Sequence, residues 1–242
     1  MHTIRLIVFL GLISTLLLGC TSMQPQTTNS FVEQKPSAPR IIAIGDSLMS
    51  WNGLLRQSIP DLISRTLGEP VYNQTMPGAR FGKAQGNGIS IGNIAIKQAN
   101  QQAWEIAVMN GGGNDLWMGC GCGQCQKQLD QLITPDATQG AVVRMAQHVV
   151  NNGTDIIYLG YLRTPGVNSP IEACANVGDQ FEQRLMKLER QLDGFSFISL
   201  KQVVPHGSLA YHSFDRIHPS TLGSAEIAKL AVQEITRLRT NQ

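Results

Sequence analysis

The sequence predicts an α/β protein whose parallel sheet is covered by helices on both faces. Three observations carry this expectation. Short apolar runs recur along the chain, and they are continuous, as strands buried on both faces require, not alternating. Longer stretches with helical spacing lie between them, so strand and helix signals alternate. The chain has 242 residues, 42% hydrophobic and 15% charged, enough for one sizeable core.

Arg40 to Ile44 reads as the first strand, running into Gly45-Asp46-Ser47, a tight turn. Leu54 to Leu67 has helical spacing, with Pro60 near the start of its main body, and Val71 to Asn73 is a short second strand. Gly78 to Gly92 is glycine-rich and polar, hence loop. Ile94 to Gln102 fits a helix and Trp104 to Asn110 a third strand. Thr138 to Asn152 is helical and stops at Gly153, a C-terminal cap. Asp155 to Leu162 is a fourth strand, Ala173 to Leu192 a long amphipathic helix, and Phe195 to Leu200 a fifth strand. Pro219 to Arg237 is the final helix, with Pro219 in its first turn. Ligands of such sheets bind beyond the carboxyl ends of the strands. Ser47, Gly78 and Asn114 each follow a strand end, so they are expected on one rim.

The N-terminus reads as a targeting segment. Leu6 to Leu18 is mostly apolar, too short for a comfortable bilayer span but suited to a signal-peptide core. It ends in Leu17-Leu18-Gly19-Cys20, which resembles a bacterial lipobox. That resemblance implies removal of residues 1–19 and a lipid on Cys20. Thr21, not an aspartate, follows, which implies the outer membrane by the bacterial sorting pattern. Residues 20–39 are Ser/Thr/Gln/Pro-rich without periodicity and are expected to form a flexible tether; residues 40–242 form the folded domain. The net charge is +2, and nothing suggests nucleic acid as a partner. No obligatory protein partner is indicated.

A serine hydroxyl needs a base, an orienting group and donors for a developing oxyanion before it becomes a useful nucleophile. Ser47 has a candidate for each. In "DRIHPS", Asp215 stands three residues before His218, close enough to fix the imidazole tautomer. In "NGGGND", the glycines would let backbone approach a ligand closely, and Asn114 can project an amide N–H. Taken alone, Ser47 could equally cap the following helix. Ser90 sits in "GISIG", which fits a nucleophile elbow, but no strand is expected before it. No dinucleotide or phosphate-loop pattern occurs, so no cofactor is expected.

These blocks together resemble the SGNH hydrolases, the GDSL esterase/lipase family. Gly45-Asp46-Ser47-Leu48, then Asn73 with Gly78, then Gly112-Gly113-Asn114-Asp115, then Asp215-Arg216-Ile217-His218 occur in that family's order. The resemblance implies a flavodoxin-like three-layer sandwich with strand order 2-1-3-4-5. It implies Ser47 as nucleophile, His218 as base and Asp215 as its orienter. Ser47 N–H, Gly78 N–H and the Asn114 side chain would form the oxyanion hole.

Cys120, Cys122, Cys125 and Cys174 remain after Cys20. In an oxidising compartment they suggest two disulfides, one within the cluster and one to Cys174. A four-thiolate zinc site is the rival, but the Cys120–Cys122 spacing is too tight for it; no metal is expected. Trp51, Arg80, Trp117, Met118 and Arg163 flank the expected site, as core packing and ion pairs or as substrate contacts. No long lid is visible, which disfavours bulky triglycerides. The expected substrate is a small acyl ester, such as an O-acetyl group on an envelope glycan. A lysophospholipase or thioesterase acting on acyl chains, and a non-catalytic envelope-binding lipoprotein, are the alternatives.

Overall fold

The structure is a computed structural model that describes residues 38–82, 90–166 and 168–241. The signal segment, Cys20 and most of the tether lie outside the described residues. The strands are β1 (Ile41–Ile44), β2 (Val71–Asn73), β3 (Ile106–Met109), β4 (Asp155–Leu159) and β5 (Phe195–Ile198). They form one parallel sheet in the order β2-β1-β3-β4-β5. The helices are α1 (Ser47–Ser50), α2 (Ile59–Leu67), α3 (Ile91–Gln101), α4 (Gly113–Cys120), α5 (Gln126–Leu132), α6 (Ala141–Asn151), α7 (Ala175–Glu189) and α8 (Thr221–Thr240).

The two-residue period of a strand sorts the core into two layers. Ile41, Ala43, Ile106, Val108, Ile157 and Leu159 point to one face, where Ile59 and Ile63 of α2 and Ile227, Ala231 and Ile235 of α8 cover them. Ile42, Ile44, Met109, Ile156 and Tyr158 point to the other, against α3, α5, α6 and α7. Each isoleucine fully buried in this way contributes roughly 1.5–3 kcal/mol. Because the central strands are covered on both sides, their sequences are continuous apolar runs, and β1 and β3 are buried at every position.

Local chemistry explains where helix boundaries depart from the sequence expectation. The helix expected over 54–67 is a single 3-10 turn, Gly53–Leu55, followed by α2, because Ser58 caps α2 in a reciprocal capping box with Asp61 and Pro60 occupies its first turn. α3 starts three residues earlier than expected because Ser90 caps it, accepting from Asn93 N–H at 3.3 Å. Pro219 precedes the final helix: Ser220 is the cap and accepts from Gly223 N–H at 3.1 Å. α6 is capped by Asn152, with Gly153 following at φ +81°. α4 and α5 were not expected. They are short and packed across the cysteine-rich segment, where periodicity has too few turns to show.

Both disulfides form: Cys120–Cys125 closes a separation of 5 residues and Cys122–Cys174 one of 52. Among the described residues no group of His, Cys, Asp and Glu is arranged to hold a metal ion. Loop-closure entropy scales with the enclosed length. Removing the long bridge with Cys122→Ala and Cys174→Ala is therefore expected to lower stability by about 4 kcal/mol, and removing the short one by about 2. Urea unfolding of the two double variants checks that order.

Candidate active site

β1 ends the sheet's central crevice, and the polypeptide turns sharply there. Gly45 is glycine because a Cβ would run into the side-chain oxygen of Asn110 at the end of β3. Asp46 follows, buried at 1% exposure, and caps α1 by accepting from Leu48 N–H at 2.9 Å. Asn110 and Asp46 are doubly bonded: Asp46 N–H donates to Asn110 Oδ1 at 3.0 Å and Asn110 Nδ2 donates to Asp46 Oδ1 at 2.9 Å. Tyr161, just past β4, donates its hydroxyl to Asp46 Oδ2 at 2.5 Å and accepts from Gly113 N–H at 2.9 Å. Burial pushes the Asp46 carboxyl above its ordinary value, and these hydrogen bonds pull it part of the way back. The Tyr161 hydroxyl is pushed well up, first by burial and then by the Asp46 charge.

On this base Ser47 opens α1, its Oγ 2.8 Å from His218 Nε2. The opposite ring nitrogen, Nδ1, lies 2.5 Å from Asp215 Oδ2. With a carboxylate there as acceptor, the proton is assigned to Nδ1, leaving the Nε2 lone pair toward the hydroxyl. The Asp215 turn is folded on itself: Asp215 Oδ1 accepts from Ile217 N–H and His218 N–H, both at 3.0 Å, and Arg216 takes φ +59°. Burial acts to raise the Asp215 carboxyl, but its bonds from the His218 ring and these two N–H groups win and hold it below its ordinary value. The loop is anchored to the fold by the His212–Pro219 bridge and by Asn52 Nδ2, which donates to Pro219 O at 3.1 Å and Ser224 Oγ at 3.0 Å. Trp51 stacks on the His218 ring, centroids 3.9 Å apart and planes within 6°.

The oxyanion candidates have different standing. Met76 N–H donates to Gly45 O at 2.8 Å, so the segment leading to Gly78 runs beside the Ser47 turn; Gly78 has φ +74°. Asn114 lines the cleft that holds Ser47 and His218. Its amide donates to Ala79 O at 3.1 Å and, at a long 3.4 Å, to Asp46 Oδ2. Asp115, beside it, is buried and accepts from Phe81 N–H at 2.9 Å and Gly82 N–H at 2.7 Å, tying that loop to α4.

The glycines of "NGGGND" leave room for aromatic rings, and Gly113 also lines the cleft beside Ser47. A Cβ at Gly111 would lie 2.6 Å from Phe81, at Gly112 2.7 Å from Phe181, and at Gly113 2.6 Å from Tyr161. Arg163 is engaged with Asp179 at 2.6 Å and Glu182 at 3.0 Å. Trp117 is partly buried against the core and also lines the cleft, while Met118 is exposed. Asn110 and Tyr161 escaped sequence reasoning. The one available signal was position: each is a hydrogen-bonding residue at or just past the end of an apolar strand.

The sequence matches the GDSL-like lipase/acylhydrolase family over residues 43–225. The chain belongs to that family, the SGNH/GDSL hydrolases, and is a carboxylic ester hydrolase. Its fold is similar to that of a family 3 carbohydrate esterase from Clostridium thermocellum, at 14% identity and TM-score 0.57, covering 83% of this chain and 96% of that one. It is also similar to TesA, at 18% identity and TM-score 0.56, covering 78% and 93%. A carbohydrate acetylesterase family member from Sinorhizobium meliloti matches at 15% identity and TM-score 0.52, covering 84% and 99%. At such identities these likenesses speak to the fold. No curated protein matches the sequence.

The depressed Asp215 carboxyl has a consequence for stability. Its ionised form stabilises the fold above the ordinary value of 3.8, and the gain is lost as pH falls through the lower folded-state value. The difference in unfolding free energy between the protein and Asp215→Asn is expected to be constant near neutrality and to shrink below pH 3.8. A difference that persists unchanged into strong acid would exclude the ionised pairing.

Proposed function

We propose that Ser47, His218 and Asp215 hydrolyse carboxylic esters through an acyl-enzyme. The observation that carries this reading is the 2.8 Å contact between Ser47 Oγ and His218 Nε2. As Oγ attacks the ester carbonyl carbon, its proton passes to Nε2 and the carbonyl π pair moves onto oxygen. Asp215 holds the imidazolium in place and stays ionised. The oxyanion is received by Ser47 N–H, Gly78 N–H and the Asn114 amide, which gives up its long bond to Asp46. When the oxyanion collapses, the C–O bond of the alcohol breaks and Nε2 returns the proton to the departing oxygen. Water then repeats the sequence on acyl-Ser47, releasing the acid.

The leader ending at Cys20 supports a lipid-anchored protein of the bacterial envelope, in the outer membrane and facing the periplasm. Two disulfides fit that oxidising compartment. Two readings of the acyl group stand. Small O-acetyl esters of envelope glycans fit the compact site expected from sequence. Longer acyl chains are favoured by one observation, the apolar cleft that begins at Ser47.

A fluorophosphonate probe is expected to label the folded protein on Ser47, and Ser47→Ala to abolish both labelling and turnover, the latter on the order of 10⁴–10⁶-fold. Asp215→Asn is expected to lower kcat about 10³–10⁴-fold, and Asn114→Ala about 10²–10³-fold. Folded protein that neither labels nor hydrolyses any p-nitrophenyl ester would favour the non-catalytic binding lipoprotein.

A further inference from the structure

The cleft does not stop at the catalytic residues. It runs inward between α4 and α7, where Leu116, Trp117, Val177, Phe181 and Leu185 line it, and its cavity volume is about 120 Å³. An acetyl group would leave most of that wall untouched. Arg163, which also lines the cleft, is ion-paired with Asp179 and Glu182.

One wall is covalent. Cys122, in the turn after α4, is bonded to Cys174, the residue before α7, and both line the cleft. The bridge thus holds the two lining helices at a set spacing, with the two Cα atoms 4.7 Å apart. Cys120 and Cys125 are bonded to each other, and neither lines this cleft.

A third observation concerns the surface beside the site. Phe214 stands at 90% exposure immediately before Asp215. An exposed apolar side chain at that position can meet an apolar substrate.

We propose that the slot between α4 and α7 receives a fatty-acyl chain of several carbons, and that the Cys122–Cys174 bridge is the wall that sets the length accepted. The inference rests on the serine-esterase reading and names its acyl substrate. Each methylene transferred from water onto such a wall is worth about fourfold in kcat/KM, until the chain meets the end of the slot.

The test is kcat/KM for p-nitrophenyl acetate, butyrate, octanoate and laurate, below their aggregation limits, with fluorophosphonate labelling of Ser47 run in parallel. Octanoate is expected to exceed acetate by at least about tenfold, as several buried methylenes require. Val177→Phe, which fills the slot, is expected to cut the octanoate-to-acetate ratio by about tenfold or more. Ala175→Trp obstructs the same lining from an exposed position and is expected to lower that ratio in the same direction even where Val177→Phe fails to fold. Cys122→Ala with Cys174→Ala is expected to flatten the chain-length profile, whereas Cys120→Ala with Cys125→Ala keeps it. Labelling of Ser47 with acetate as the best substrate, or a ratio unmoved by both blocking variants, overturns the acyl-chain assignment and leaves the esterase standing. A profile unchanged by loss of the Cys122–Cys174 bridge overturns the role given to that wall. Absence of labelling and of all hydrolysis overturns the esterase reading itself, and this inference with it.

Discussion

A buried carboxyl group at the end of β1 organises the rim that carries Ser47. Among the described residues Asp46 forms no salt bridge. It accepts from Leu48 N–H of α1, the Asn110 amide at the end of β3 and the Tyr161 hydroxyl past β4, with a longer bond from the Asn114 amide of α4. A carboxylate taken out of water is costly unless its oxygens are bonded, so these contacts are mutually obligatory. They also fix geometry. The Asn110 pair draws β3 to β1 at the point where the chain turns into Ser47, and Tyr161 ties the β4 exit to α4 through Gly113 N–H. Ser47 therefore sits on a turn whose shape is set from beneath.

His218 reaches that turn by a separate route. The segment carrying His218 returns from the far edge of the sheet after β5 and is pinned by its own hydrogen bonds, by the His212–Pro219 bridge and by Asn52. Asn52 lies five residues after Ser47, so one short stretch supplies the Ser47 hydroxyl and also an anchor for the loop that bears His218. Trp51 between them lies flat on the imidazole. Stacking limits ring rotation, and Asp215 selects the tautomer, so the ring is held in one arrangement.

Much of this was legible before any coordinates. The strands are apolar at consecutive positions because both faces are covered, and that pattern survives in the one-dimensional sequence. Pro60 near the start of α2 announced itself by residue type. The paired signals Asp215 and His218 were readable because they interact across three residues, within one turn. One bridge inside the cysteine cluster and one to Cys174 were expected because both cysteine-bearing loops follow strand ends on one rim, but which cysteine of the cluster meets Cys174 was not legible. By contrast, α4 and α5 were invisible because two helical turns give no usable period, and Pro219 was placed inside a helix that Ser220 begins. The rings beside the "NGGGND" glycines were not legible, because a glycine's lack of a side chain does not say which neighbour needs the space. Three different aromatic rings do, and none is near in sequence.

The sequence by itself determined the class of fold and the types of group needed for ester chemistry, since each depends on periodicity or on residue types at short spacing. Tertiary structure alone decided the support of Asp46 by Asn110 and Tyr161, the stacking of Trp51 on His218 and the slot between α4 and α7. These are contacts across 48 to 171 residues for the hydrogen bonds named at Gly113, Asn110, Tyr161 and His218. Their partners are chosen by the packing of strand ends and helix faces, which leaves no local trace in the chain.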